Sequence, residues 1–194
     1  AQKAADMVVK AINNHKVDGL FVLGLSTGRT PLGLYTELVN RYKAGEVSFK
    51  NVEVYSLDEF YPMTPENPLS RNHRVYEDFL KYVDIDPKNV HFPDGTVPRE
   101  QVNDYCNRYE QQVRGKVDLM IMGVGELGQV GFNEPGTYSK STTRLVQLSY
   151  NSRRTQNKFF SNPNDVPKTA ITMGMDTIMS AKKVVLMMWG EEKT

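Results

Sequence analysis

Two adjacent carboxylates, Asp58 and Glu59, follow directly on the apolar run Val52–Leu57. Acids at the end of a buried strand are costly to desolvate unless they are paired or put to use, so one of the two could serve as a general base. Helix capping plus a surface acid is the other reading of the pair. Upstream, the loop Leu25-Ser26-Thr27-Gly28-Arg29-Thr30-Pro31 joins a strand-like run to a helical one. Its backbone N–H groups, its hydroxyls and the positive end of the following helix suit a phosphate. It matches neither the Walker pattern nor G-x-G-x-x-G, and a tight strand-to-helix turn would use the same residues. Downstream lies Gly123-Val124-Gly125-Glu126-Leu127-Gly128-Gln129-Val130-Gly131-Phe132-Asn133-Glu134-Pro135. Its glycines let the backbone approach a ligand closely, and Glu134 is a second candidate carboxylate. The three histidines, His15, His73 and His91, are far apart in sequence and no Cys/His cluster accompanies them, so no metal site is expected. His73 either faces a cleft or has a surface or capping role.

These candidates need elements to hold them. Ala1–Asn14 and Leu32–Ala44 carry apolar residues at helical spacing, as do Ser70–Tyr82, with Ser70 as N-cap, and Arg99–Val113. Gly19–Leu25, Val52–Leu57, Val117–Gly123, Thr169–Met173 and Lys183–Trp189 read as five short strands, and Pro62–Pro68 as loop. Strands separated by helices predict an α/β fold: a three-layer, mostly parallel sheet with helices on both faces. Ligands of such sheets bind beyond the carboxyl ends of the strands, and all three candidate segments begin there.

Composition sets outer bounds. The chain has 194 residues, 39% hydrophobic and 24% charged, enough for one domain over 1–194 with a sizeable core. Its net charge of +1 argues for neither a nucleic-acid nor a membrane surface. No apolar run approaches the ~20 residues that cross a bilayer. The single cysteine, Cys106, rules out an internal disulfide, fits a reducing, cytoplasmic compartment, and reads as a half-buried helix residue. Because the chain begins with Ala1 and stops just after a strand-like run, it is expected to be truncated at both ends.

In order and spacing, Leu23–Pro31, Ser48–Val52, Leu57–Phe60, Gly131–Pro135 and Val166–Gly174 resemble glucosamine-6-phosphate deaminases. The related 6-phosphogluconolactonases share the first loop, whereas Phe132-Asn133-Glu134-Pro135 is similar to the deaminase branch. The resemblance implies a modified Rossmann-like fold, a sugar-phosphate substrate and no cofactor. It also implies conversion of glucosamine 6-phosphate and water into fructose 6-phosphate and ammonia. By the same resemblance Asp58 takes the place of the base that moves a proton from C2 to C1. Glu134 takes that of the glutamate supporting a ring-opening imidazole. Thr27, Gly28, Arg29 and Thr30 match the phosphate loop, Lys158 and Lys193 match cationic phosphate contacts, and Gly123 and Gly125 line the sugar side. Family members differ in assembly, so a homo-oligomer is left open.

The departures from the family pattern bear on chemistry. Where the family reads Asp-Gly-His, this chain reads Leu127-Gly128-Gln129. Gln129 thus stands in place of the ring-opening histidine, and Leu127 in place of its orienting aspartate. Glutamine does not titrate near neutrality, and losing a general acid–base costs roughly 10²- to 10⁴-fold in rate. Arg29 replaces a small residue, Lys158 replaces an arginine, and Val146 stands where allosteric members carry a lysine for their effector. Three functions remain: a deaminase/isomerase working through Asp58, a sugar-phosphate-binding domain that has lost the chemistry, and an isomerase of another sugar phosphate.

Overall fold

Alternating side chains along three central strands feed two separate hydrophobic layers. The computed structural model describes residues 1–188. Its elements begin with α1 (Gln2–Asn13), β1 (Phe21–Leu25), α2 (Leu32–Lys43), β2 (Val52–Ser56), β3 (Asp58–Tyr61) and α3 (Arg71–Asp78). Then follow β4 (Val90–His91), α4 (Val102–Val113), β5 (Leu119–Gly123), β6 (Arg144–Gln147) and α5 (Tyr150–Gln156). The last described elements are β7 (Thr169–Thr172), α6 (Met175–Met179) and β8 (Val184–Met187). Leu23, Leu25, Val52, Val54, Leu119 and Ile121 point to a layer shared with Ala5 and Val8 of α1 and Leu34, Tyr35 and Leu38 of α2. Val22, Tyr55, Met120 and Met122 point the other way, onto Tyr109 and Val113 of α4 and Ile178 of α6. A period of two with both sets apolar is what a strand covered on both faces requires.

The main sheet has the order β4-β2-β1-β5-β8, and its pairs are parallel throughout. This bears out the expected three-layer α/β fold. The segment 169–173, however, does not join that sheet. As β7 it lies between β3 and β6, antiparallel to both, in a second sheet of order β3-β7-β6. The short strands β3, β4 and β6 and the helices α5 and α6 were not expected. Strand β3 escapes because its sequence, Asp-Glu-Phe-Tyr, begins with two acids that propensity assigns elsewhere; here tertiary pairing overrides propensity.

The chain changes sheets at Leu57. Its N–H donates to the Leu25 carbonyl of the parallel sheet, while its own carbonyl accepts from Met173 N of the antiparallel one, both at 2.9 Å. Asp58 therefore sits at the seam. The antiparallel sheet is also tied to the helix layer by Glu110 of α4, whose Oε2 accepts from Thr143 N (2.9 Å) and Thr143 Oγ1 (2.6 Å), just before β6, and from Thr177 Oγ1 (2.7 Å) of α6. Cys106 packs beside Val102, Tyr61 and Ile171 under the small sheet, and burial pushes its thiol up to about 11. It is a core residue rather than a nucleophile.

Glu59, the second acid, holds α3 in place. Its Oε1 accepts from Phe60 N (2.8 Å) and Arg71 N (3.0 Å), and its Oε2 from Ser70 Oγ (2.7 Å) and Asn72 N (3.0 Å). Ser70 Oγ in turn accepts from His73 N at 3.2 Å, the expected N-cap. Glu59 is thus a capping acid, but a buried one at 2% exposure. Glu59→Gln removes a buried charge that satisfies four donors. It is expected to destabilise the protein by about 2–4 kcal/mol in urea unfolding, whereas a loss within about 0.5 kcal/mol would show that α3 does not depend on it.

Candidate active site

Strands β2, β1 and β5 are neighbours in the parallel sheet, so the loops leaving their carboxyl ends converge. Between them lies a cleft of ≈ 140 Å³ reached by Ser26–Thr30, Asp58, Gly123–Glu126 and Gln129, with Ser152, Gln156 and Lys158 on its far wall. The structure therefore gathers Asp58, Gln129, Thr27, Gly28, Arg29, Thr30, Gly123, Gly125 and Lys158 into one place. Lys193 lies outside the described residues. A roomier groove of ≈ 690 Å³ on another face of α3 is lined largely by Met63, Tyr76, Leu80, Val83 and Phe92. It lies beyond the carboxyl end of β4 at the sheet edge, its cation Lys81 is spent on Glu77 at 2.6 Å, and none of the candidate residues named above lines it except Glu59.

Asp58 is 4% exposed. Its Oδ1 accepts from Thr27 Oγ1 at 3.2 Å and lies 3.9 Å from Arg71 Nε. Burial pushes its pKa up to about 6, with Glu59 adding to the rise; the Arg71 charge and the Thr27 hydrogen bond act against it. On the side of Oδ2 the chain is glycine: a Cβ at Gly131, whose φ is +58°, would lie 3.1 Å from Asp58 Oδ2 and 2.9 Å from Leu57 Cδ2. Gly131 thus lets the backbone pass close to the carboxylate, where any side chain would crowd it.

The loop after β1 is anchored from below by Tyr35 of α2, whose hydroxyl donates to the Ser26 carbonyl. At the mouth of the cleft, Glu126 Oε1 accepts from Arg29 Nη2 at 3.1 Å and from Lys158 Nζ at 2.6 Å. Two cations from separate segments, Arg29 before α2 and Lys158 after α5, thus converge on one carboxylate oxygen.

The model of the family described as glucosamine-6-phosphate isomerases/6-phosphogluconolactonase matches residues 1–194. The chain belongs to that family. It is 42% identical over 174 residues to a glucosamine-6-phosphate deaminase of Halothermothrix orenii, covering 89% of this chain and 71% of that one. Over 189 residues it is 39% identical to a putative glucosamine-6-phosphate deaminase-like protein of Bacteroides thetaiotaomicron, covering 96% of this chain and 28% of that protein. A solved structure of a monomeric glucosamine-6-phosphate deaminase superposes with a TM-score of 0.89 at 35% identity, covering 95% of this chain and 76% of that one.

Within this family framework, two predicted residues have local partners that sequence could not show. Gln129 folds over Gly125, where a Cβ would come within 2.2 Å of the glutamine Cδ, and its Oε1 accepts from Leu127 N at 2.9 Å. The carboxamide therefore closes its own loop. Leu127 is 39% exposed. Glu134 does not line the cleft; its Oε1 accepts from Ser149 N at 3.0 Å, where α5 begins. Burial favours its neutral form, but hydrogen bonds from Ser152 and Ser149 outweigh this and hold its pKa below the usual glutamate value. Its neighbour Asn133 is a crosslink: Nδ2 donates to the carbonyls of Val130 (3.0 Å) and Met173 (2.8 Å), and Oδ1 accepts from Arg144 Nη1 (3.0 Å). His73 does not line the cleft either; among the described residues no group of three His, Cys, Asp or Glu could hold a metal.

Sequence reasoning missed Arg71, the cleft's most buried cation, at 11% side-chain exposure. One signal was available. Arg71 opens α3, where a cation opposes the helix dipole and an acid would be the ordinary choice. A broken local rule of that kind marks a residue recruited for something else.

Any anion that settles between Arg29 and Lys158 must displace Glu126. Glu126→Gln is therefore expected to tighten inorganic phosphate several-fold by calorimetry at low salt, with the gain fading towards 1 M salt. Unchanged or weaker phosphate binding at low salt would show that Glu126 does not compete.

Proposed function

We propose that this chain is a glucosamine-6-phosphate deaminase/isomerase in which Asp58 moves the proton. The observation that carries the reading is the placement of one buried carboxylate, with its pKa near 6, between the loop after β1 and the glycine-rich segment after β5. A base whose pKa lies close to the working pH is both deprotonated and able to hold a proton between steps. With the sugar phosphate held between the 26–30 loop and Lys158, Asp58 would take the C2 proton of the open-chain amino sugar and return it to C1. That transfer, with one proton passing from the C2 nitrogen to the C1 oxygen, turns the C1 aldehyde into a hydroxymethyl group and the C2 amine into an imine. Water then hydrolyses the imine to the ketone and ammonia. The reading needs no cofactor and places the chain in the cytoplasm.

Ring opening is the step this site serves least. A carboxamide can donate a hydrogen bond to the ring oxygen but cannot exchange a proton with it as imidazole does. The Gln129 oxygen is moreover committed to Leu127 N. That commitment favours a second reading, a sugar-phosphate-binding domain that leaves its ligand unchanged. Turnover of glucosamine 6-phosphate, read as fructose 6-phosphate and ammonia together, separates the two. For the enzyme, Asp58→Asn is expected to lower kcat by at least about 10³-fold. The kcat/KM of the unaltered protein should fall about tenfold per pH unit below pH 6, because the base is lost as Asp58 protonates. Binding by calorimetry with neither product formed would overturn the enzyme and leave the binding domain.

A further inference from the structure

Asp58 is faced by a guanidinium whose position is fixed more tightly than an ordinary ion pair requires. The Arg71 backbone is pinned where Glu59 Oε1 accepts its N–H at 3.0 Å. Its guanidinium carbon lies 4.6 Å from the Phe60 ring centre and 5.3 Å from that of Phe132, so two aromatic faces hold the cation in place of water. Nη2 donates to Gln156 Oε1 at 3.3 Å. Its Nε is fully buried and makes no hydrogen bond, although Asp58 Oδ1 lies only 3.9 Å away. Burial lowers the Arg71 pKa from its ordinary value while Asp58 and Glu59 raise it, which mirrors the opposed effects on Asp58. A buried N–H left unpaired is destabilising, so its retention beside the carboxylate calls for a role.

We infer that Arg71 is a positioning residue for Asp58: it holds the carboxyl group in its charged form and engages Oδ1, which leaves Oδ2 to meet the substrate. The inference rests on Asp58 as the base proposed above. Three observations make the case. Both partners on Asp58, Thr27 and Arg71, approach Oδ1, and among the described residues no hydrogen bond reaches Oδ2. Oδ2 lies on the side of Gly131, where a Cβ would come within 3.1 Å of it, so the residue there carries no side chain to cover that oxygen. Among the described residues, no other group acting on Asp58 supplies a positive charge; Arg29 and Lys158, in the same cleft, are paired with Glu126 instead. Glu59 on its own strand raises its pKa, Tyr35 of α2 and Tyr109 of α4 are themselves pushed above their usual range by burial, and the β7 residue paired with Asp58 is Thr172. Arg74, one turn along α3, acts against the Arg71 charge. Arg71 is therefore the countercharge that keeps a desolvated carboxylate usable as a base near neutrality.

The test reads Asp58 itself. Carboxyl-carbon NMR of aspartate-labelled protein follows its titration in the unaltered chain and in Arg71→Met, Arg71→Gln and Arg71→Lys, with no need for turnover. An opposite charge at this distance lowers a carboxyl pKa by roughly 1–3 units, so the Met and Gln variants are expected to titrate at least about one pH unit higher. Arg71→Lys should return most of the way. If the deaminase reading holds, the acid limb of kcat/KM moves by the same amount, leaving the neutral variants about tenfold slower at pH 6 and much closer to the parent at pH 8. An Asp58 titration that stays put in folded Met and Gln variants, whatever their stability or rate, overturns the inference. A protein that turns over nothing but whose Asp58 shifts as described would sink the deaminase and leave the Arg71 assignment standing.

Discussion

Two carboxylates lie side by side at the head of β3, each almost wholly withdrawn from water, and much of the surrounding structure compensates for that arrangement. Desolvating one anion costs several kcal/mol, and a second beside it adds repulsion. The protein treats the two differently. Glu59 receives four hydrogen bonds, three of them from backbone N–H groups at Phe60 and at the start of α3, and is used up structurally. Asp58 receives one hydrogen bond and one near approach, and so keeps a titration within reach of neutral pH. The difference between scaffold and chemistry here is a difference in how completely a charge is satisfied. The loop after β1, the first turn of α3 and the glycine at 131 all follow from that division.

The same division explains what could be read from sequence. The parallel sheet was legible because strands buried on both faces are written as short apolar runs, and Phe21–Leu25 and Leu119–Gly123 are such runs. So was the convergence of the three loops, since carboxyl ends of neighbouring strands meet whatever the side chains do. The antiparallel sheet was not legible. Its strand β6, Arg-Leu-Val-Gln, is four residues long and half-buried, too short for periodicity to register. Strand β7 was found but given the wrong partners, because pairing direction depends on where the chain goes next rather than on composition.

At the site, residue types were readable but loyalties were not. Asp58 and Glu59 are adjacent and chemically similar, and nothing local says that one will cap a helix twelve residues on. Arg71 drew no notice because arginine in a helix is common; only its position in the first turn is unusual. Gln129 was visible as a departure from the family, yet its hold on Leu127 N depends on a loop conformation that glycines at 125 and 128 permit. Phe132-Asn133-Glu134 reads as a catalytic signature. In the fold these residues also do scaffold work, with Phe132 under the guanidinium, Asn133 across the loop and Glu134 at the start of α5.

The Glu110 clamp has a mechanical corollary. By binding Thr143 beside β6 and Thr177 on α6 through one oxygen, it welds the antiparallel sheet to the helix layer behind it. The wall of the cleft that bears Asp58 is therefore fastened both through the backbone at Leu57 and through Glu110, since β3 belongs to the sheet that Glu110 ties down. On the opposite rim the contacts of Glu126 with Arg29 and Lys158 join partly exposed side chains, the class of ion pair that contributes least to stability. The cleft thus has one wall fastened through buried hydrogen bonds and one closed by exposed charges, and Asp58 is mounted on the first.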